Sequence, residues 1–335
     1  MHHREISKKL SKAFDRVWHE GLLYKLKQNG IEGNLLRWFS SYLGNRKQKV
    51  IIGGSSSTFK YVQSGVPQGS ILGPLLFLIY VNDMTKDLQA DIHQFADDTN
   101  LLYTYNDFEQ VATKANQDLQ KLSVSAETWR VSFNALKTHF IIFSLKTNRT
   151  QPLIPIVLNN VEIKEVKKLV SLGVTLTNNL SWNEHILSLI DKSSKRMFIL
   201  RSYRTILPRR ALIQLYKTMI LPLLEYGDIL YNNTTQQISQ TLENIQRQAA
   251  LICTGAYRHT KHNTLLSDLS WEPLANRRRF HQLILFYKIY HRIYPNYQLY
   301  ISLVFSNQIL LFFSASSVFL GLLLTFLMTS HDHGE

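Results

Sequence analysis

Two adjacent carboxylates, Asp97 and Asp98, follow the short segment IHQFA and precede the apolar run LLYTY. Read as a β-hairpin, this stretch carries both acids at its tip. Neighbouring carboxylates repel one another when water is withdrawn, and hard divalent cations with oxygen ligands, such as Mg²⁺, relieve that repulsion. A site of this kind suits phosphoryl transfer. The same string also fits a solvated turn with Asp at its corner, so the rest of the chain has to decide.

About thirty residues upstream, SGVPQGSILGPLLFLIYVNDM runs from Ser64 to Met84, a Gly-, Pro- and Ser-rich loop that leads straight into a long apolar helical pattern. Loop amides at a helix start suit phosphate or a nucleotide, and they equally suit an ordinary turn that caps a core helix.

The loop residues Ser64, Gly65, Val66, Pro67, Gln68 and Gly69, the FADD of 95–98, and the LSKAFD of Leu10 to Asp15 ahead of both stand in the order and spacing of polymerase palm motifs. The chain resembles the reverse transcriptase, or RNA-directed DNA polymerase, of non-LTR, jockey-like retrotransposons, from about Leu10 to about Tyr297. The resemblance implies an RNA template, a DNA primer and dNTPs as partners, and a two-ion Mg²⁺ site held in part by Asp97 and Asp98. It places Phe14 where a bulky side chain closes off the 2′-hydroxyl of the incoming nucleotide, and Gln68 beside Gly69 at the nucleotide and template. It places Lys137, in NALKTHFIIF, near the triphosphate. Read from the residues alone, Gln68 and Lys137 equally fit the surface, and Phe14, in an Ala-Phe pair before an amphipathic helix, is more often a core residue.

In one position the chain departs from that pattern. The first motif of the family opens on an Asp that joins the FADD acids around the metals, and here the position is Lys9. Lys for Asp changes the local charge by two and removes a ligand from a site whose ions, about 3.5–4 Å apart, need bridging carboxylates. Asp15, beyond Phe14, falls too late in the motif to replace it. Upstream, MHHREISK matches no part of the family, so a truncated copy lacking fingers and impaired in activity is expected. The competing expectations are a non-catalytic, basic nucleic-acid-binding remnant and a tail-anchored membrane protein.

Composition indicates a folded chain. It has 335 residues, is 45% hydrophobic and 19% charged, and has a net charge of +14. All 38 Lys and Arg precede residue 293 and only two acids follow residue 300, so residues 1–300 carry 38 positive against 22 negative side chains, a net +16. A polyanionic partner follows through phosphate neutralisation. Two clusters stand out, Arg196, Arg201, Arg204, Arg209 and Arg210, and then Arg277, Arg278 and Arg279. Both fall where the resemblance puts a thumb tracking the template–primer duplex. The single cysteine, Cys253, excludes an internal disulfide and reads as buried filler.

The expected fold is α+β: a palm with a ferredoxin-like antiparallel sheet and helices, then a helical thumb and a C-terminal apolar helix. The expected domains are a palm over 9–180, a thumb-like region over 181–300 and a tail over 301–335. Phe108, Val111, Ala112, Ala115, Leu119 and Leu122 repeat at helical spacing behind a capping box of Asn106 and Glu109. Asn159 and Asn160 suit a tight turn between short strands. KKLVSLGVTLTNNLSW, Lys167 to Trp182, resembles the hairpin that grips a primer end, with Gly173 at either a close backbone approach or a bulge. Ile309 to Met328 is an uncharged run of twenty residues, long enough to span about 30 Å of hydrocarbon. The basic residues before it favour a cytosolic body, with the terminal TSHDHGE across the membrane.

Overall fold

The computed structural model describes residues 2–9, 13–105, 108–143, 154–231, 235–291, 293, 305–306 and 308–309. The chain divides into two compact units, Met1–Lys167 and Lys168–Glu335.

The first unit is built on a five-stranded sheet ordered β11-β8-β1-β7-β6. Its strands are β1 (His2–Lys9), β6 (Asp91–Phe95), β7 (Asp98–Tyr105), β8 (His139–Phe143) and β11 (Lys164–Glu165). The pairings are antiparallel except at one edge, where β11 runs parallel to β8, a departure from the purely antiparallel sheet expected. β8 reads HFIIF, and Phe140 to Phe143 are all buried, the unbroken apolar run of a strand covered on both faces. Between β1 and β6 come α1 (His19–Gln28), α2 (Gly33–Leu43), a slender ribbon of β2 (Lys47–Gln48), β3 (Ile51–Ile52), β4 (Ser55–Ser56) and β5 (Lys60–Tyr61), and α3 (Leu72–Val81). The chain passes from β7 through α4 (Phe108–Thr128) to β8, and from β8 to β11 through the small pair β9 (Val157–Leu158) and β10 (Val161–Glu162).

α4 behaves as its periodicity predicts: Val111, Ala112, Ala115, Leu119 and Leu122 are all buried against β7 and β9. Asn106 of the expected capping box lies outside the described residues. Asn159 and Asn160 join β9 to β10 with φ of 50° and 61°, the left-handed pair that a two-residue turn requires. Lys25 is buried between helices, where its ammonium pairs with Asp83 and lies 3.6 Å from the Trp129 ring centre. Burial lowers its pKa, against the opposing pull of Asp83.

The second unit opens with the hairpin β12 (Lys168–Ser171) and β13 (Val174–Thr177) and continues as helices: α5 (Asn183–Ser202), α6 (Arg209–Leu215), α7 (Leu221–Leu224), α8 (Gln236–Thr254), α9 (His262–Leu269) and α10 (Leu274–Tyr290). The short pairing of β14 (Phe305–Ser306) with β15 (Gln308–Ile309) follows. Leu172 and Gly173 turn the β12–β13 hairpin with φ of 47° and 80°, so Gly173 is a turn residue and not a bulge. A Cβ there would sit 3.1 Å from the Tyr226 ring, and the Tyr226 hydroxyl donates to the Leu172 carbonyl. A π-helical turn over Tyr216–Ile220 separates α6 from α7 just before Pro222, whose missing N–H breaks the regular ladder. Cys253 is the buried filler expected, with its thiol pushed up to about 12 by desolvation.

The expected apolar helix over Ile309–Met328 is not supported. Ile309 lies in a two-residue strand, and residues 310–328 lie outside the described residues. Among the described residues no helix is long and apolar enough to cross a membrane.

Candidate functional site

β1 positions the first part of the site. It is an inner strand of the sheet, pairing with β7 on one side and β8 on the other. Its register sets Lys9 directly opposite Asp98. On the far side of β7, Asp98 also faces Phe95 of β6, so Ala96 and Asp97 alone make the turn of the acid hairpin. Ala96 holds φ at 51°, a left-handed conformation that costs a residue with a side chain about 1–2 kcal/mol. Asp97 and Asp98 are both half-buried. The hairpin read from the sequence is therefore present, with one acid in its turn and the other at the head of β7.

Beneath this hairpin is an anchor that the sequence reading missed. Asp118 of α4 is fully buried. Its carboxylate accepts from the Gln89 amide at 2.9 Å, the Ala90 amide at 3.1 Å and the Tyr103 hydroxyl at 3.0 Å. The two amides immediately precede β6, and Tyr103 belongs to β7, so one side chain ties both strands of the acid hairpin to the helix behind them. A signal was available, since Asp118 falls seven residues after Val111 and three after Ala115, on the apolar stripe of the helix.

The second part of the site grows from the segment after β1. Ala13–Arg16 forms a single 3-10 turn, where the Ser64 hydroxyl donates to the Asp15 carbonyl at 2.9 Å and the Gln68 amide donates to the Asp15 carboxylate at 2.8 Å. The Val66 amide reaches the Phe14 carbonyl at 2.8 Å, and the Gly65 amide reaches the Val17 carbonyl at the same distance. Gly65 is obligatory for this seam: its φ is +93°, and a Cβ would lie 2.8 Å from the Asp15 Cα. Downstream, the Ser70 hydroxyl accepts from the Gly73 amide at 2.9 Å, satisfying one donor of the first turn of α3, while Pro74 sits in the same turn where its missing N–H costs nothing.

The expected site residues are thus placed as follows. Asp97 and Asp98 share the hairpin. Gln68 is drawn to Asp15, an acid not counted among the candidates. Gly69, with φ of +83°, turns the loop after it. Phe14 is half-buried and stacks on Phe77 with centroids 4.5 Å apart, and Lys137 is exposed on the 3-10 turn Ala135–Lys137, which lies against β1. In the second unit, Arg196, Arg201, Arg204, Arg209, Arg210 and Arg279 are exposed. Several already bind protein acceptors: Arg196 the Met219 carbonyl, Arg201 the Gln248 side chain, and Arg209 the Asp268 carboxylate. Arg277 pairs with Glu225. Arg278 is 4% exposed, which corrects its expected place on a nucleic-acid-facing surface.

As a donor set for a divalent ion, the acid hairpin offers two adjacent carboxylates. The residue paired with Asp98 across the sheet is a lysine, whose ammonium has no lone pair to give. Among the described residues no group of three His, Cys, Asp or Glu side chains is placed to hold a metal ion. Among the described residues the acid hairpin therefore offers two carboxylates and no third ligand beside them.

Residues 7–176 match the profile of the reverse transcriptase (RNA-dependent DNA polymerase) family. The chain is 30% identical over 269 residues to the probable RNA-directed DNA polymerase from transposon X-element of Drosophila melanogaster, covering 78% of this chain and 29% of that protein. It is 29% identical over 281 residues to the RNA-directed DNA polymerase from mobile element jockey of the same fly, covering 80% and 30%. The chain thus spans about 30% of the length of these relatives. Among solved structures, apo telomerase from Candida tropicalis aligns over 79% of this chain and 43% of its own at 13% identity, with a TM-score of 0.44. With a profile match over half its length, and relatives among jockey-like mobile elements, the chain belongs to the reverse transcriptase family.

Proposed function

We propose that this chain is an RNA-directed DNA polymerase domain of a non-LTR retrotransposon that binds nucleic acid but is impaired in nucleotidyl transfer. The observation that carries the reading is the pairing of Lys9 with Asp98. The position that faces the acid hairpin across the sheet bears a cation where the resemblance calls for a carboxylate. In a relative with that carboxylate present, Mg²⁺ would neutralise the acids and assist attack of the primer 3′-oxygen. Here the residues do not complete that arrangement. The remaining parts support binding. The Gln68–Asp15 bond and the Gly65 seam preorganise a loop suited to a nucleotide, Phe14 stands where 2′-hydroxyl exclusion is expected, and Lys137 stands where a triphosphate is expected.

Domain roles follow the same reading, with residues 9–180 acting as palm and 181–300 as thumb. The net +16 of residues 1–300, with exposed Arg196, Arg201, Arg204, Arg210 and Arg279, supports contact with the phosphates of a template–primer duplex. Such binding falls steeply as salt rises.

Primer extension on an RNA template with Mg²⁺ or Mn²⁺ tests the proposal. The chain is expected to add no nucleotide, and Lys9→Asp is expected to raise incorporation above background. Template-dependent incorporation by the unaltered chain, abolished by Asp97→Ala, would overturn the impairment. Loss of all nucleic-acid binding at low salt would overturn the binding half.

A further inference from the structure

The ribbon of residues 47–61 is an anomaly by the rules of soluble folds. All four of its short strands are exposed along their whole length, yet Val50, Ile51, Ile52, Phe59 and Tyr61 stand between 61% and 76% exposed on it. A two-stranded ribbon without a covering layer is marginal by itself, and exposed apolar side chains gathered in one element mark a binding surface.

Its charge says what kind. From Gly44 to Gly65 the sequence carries Arg46, Lys47, Lys49 and Lys60 and no Asp or Glu. The rings and ammonium groups are interleaved. Lys47 pairs with Tyr61 across the ribbon, with its nitrogen 4.7 Å from the ring centre, and Lys49 lies 5.1 Å from the centre of the Phe59 ring. Residues two apart share a face of a strand, so one face of the ribbon repeats the same unit twice, an aromatic ring beside a mobile cation. Its base closes where the Val62 amide reaches the Arg46 carbonyl at 2.8 Å, two residues before Ser64 and its bond to Asp15.

We infer that this ribbon is a contact site for single-stranded nucleic acid, with Phe59 and Tyr61 stacking on exposed bases while Lys47, Lys49 and Lys60 meet the phosphates. The inference rests on the nucleic-acid partner proposed above and names the surface and strand state it engages. Magnitudes favour the exchange. An exposed cation on a ring is favoured by roughly two- to fivefold, whereas a base stacked on an aromatic side chain is favoured by roughly five- to 150-fold. The lysines therefore yield the rings to bases and gain phosphate contacts as they move. A duplex, its bases already stacked, can use the lysines but not the rings. The absence of carboxylates is what separates this partner from a second protein surface, which ordinarily meets a rim of both signs.

The test is fluorescence anisotropy of the full chain with an unstructured oligouridine and with an RNA duplex of the same length, across a salt series. Phe59→Ala with Tyr61→Ala is expected to weaken single-strand binding by tenfold or more, to change duplex binding less than twofold and to leave the salt slope unaltered. Lys47→Gln, Lys49→Gln and Lys60→Gln together are expected to weaken both and to lower the single-strand salt slope by about two. Because every altered side chain is exposed, circular dichroism and the unfolding midpoint should not move. Unchanged single-strand affinity in the double-ring variant overturns this inference while leaving the function proposed above intact. A wild-type chain that binds neither probe overturns both. A dimer that the ring substitutions dissolve, with RNA binding untouched, overturns this inference in favour of self-association.

Discussion

The acid hairpin β6–β7 and the basic ribbon of residues 47–61 belong to the same unit and share an architecture, two antiparallel strands ended by a tight turn. They are secured in opposite ways. β7 is an inner strand of a five-stranded sheet and is bolted to α4 through a fully buried carboxylate. The ribbon has no strand residue out of solvent. Groups that must act on a reacting atom need placement to within about 0.5 Å, whereas stacking on any base tolerates a wide range of poses. On the roles proposed above, the difference teaches that rigidity is concentrated in the hairpin that carries the acids and is withheld from a surface that has only to adapt.

Removing the bolt is the most direct way to break that contrast. Asp118→Ala leaves two part-buried amides and the buried Tyr103 hydroxyl without their acceptor, the amides at about 1 kcal/mol each and the hydroxyl at about 1–3 kcal/mol, so a loss of roughly 3–5 kcal/mol is expected. Urea unfolding followed by far-UV circular dichroism reads it. A loss below about 1 kcal/mol would mean that the hairpin is held by strand pairing alone.

The junction between the two regions comes next. Gly65→Ala forces a left-handed residue to carry a Cβ and drives that Cβ into the Asp15 backbone. Left-handed strain of about 1–2 kcal/mol and overpacking of about 1–3 kcal/mol together predict a loss of roughly 2–5 kcal/mol. Stability within about 0.5 kcal/mol of wild type would show that the seam from Phe14 to Val66 opens at little cost.

A third hairpin, β12–β13 in the second unit, is fixed by a neutral group. Buried His185 accepts from the Thr175 amide at Nδ1 and donates from Nε2 to the Tyr226 carbonyl. Desolvation lowers its pKa below the ordinary 6.5. The unfolded chain thus binds a proton near pH 6.5 that the folded chain refuses, so stability falls as pH drops below about 6.5 and levels off once the folded imidazole also protonates. His185→Gln keeps one acceptor and one donor without the titration, and its unfolding midpoint should depend less on pH between about 6.5 and 4.5. An identical pH profile in the variant would remove His185 from the account.

Much of this was legible in the sequence because the signals were local. The acid hairpin announced itself through apolar runs on either side of two acids, the α4 face through its 3.6-residue period, and the Asn159–Asn160 turn through two residues that tolerate positive φ. What escaped depended on distant partners. Gln68 was expected to face a nucleotide, and its bond to Asp15 joins residues 53 apart in sequence. Arg278 looked like its exposed neighbour Arg279, because a basic triplet does not say which way a helix will be turned. Lys25 is buried for the same reason: only the packing of α1 supplies Asp83 and Trp129 around it. Residues 47–61 contain β-branched and aromatic residues but no clean alternation, so neither the strands nor their exposure could be read in advance.

The smallest expected effect completes the contrast. Ile51 and Ile52 occupy the end of the ribbon, 62% and 76% exposed, next to the turn made by Gly53 and Gly54. Burial, not residue type, makes an isoleucine stabilising, and these two surrender little apolar area to the fold. Threonine keeps the branched Cβ that strands favour while adding a hydroxyl that water can serve. Ile51→Thr with Ile52→Thr should therefore shift the unfolding free energy by less than about 0.5 kcal/mol, an order of magnitude below Asp118→Ala, and should leave the urea m-value unchanged. A loss above about 2 kcal/mol would mean that the ribbon end packs against the chain in solution, and the division between a rigid acid hairpin and an adaptable basic one would no longer stand.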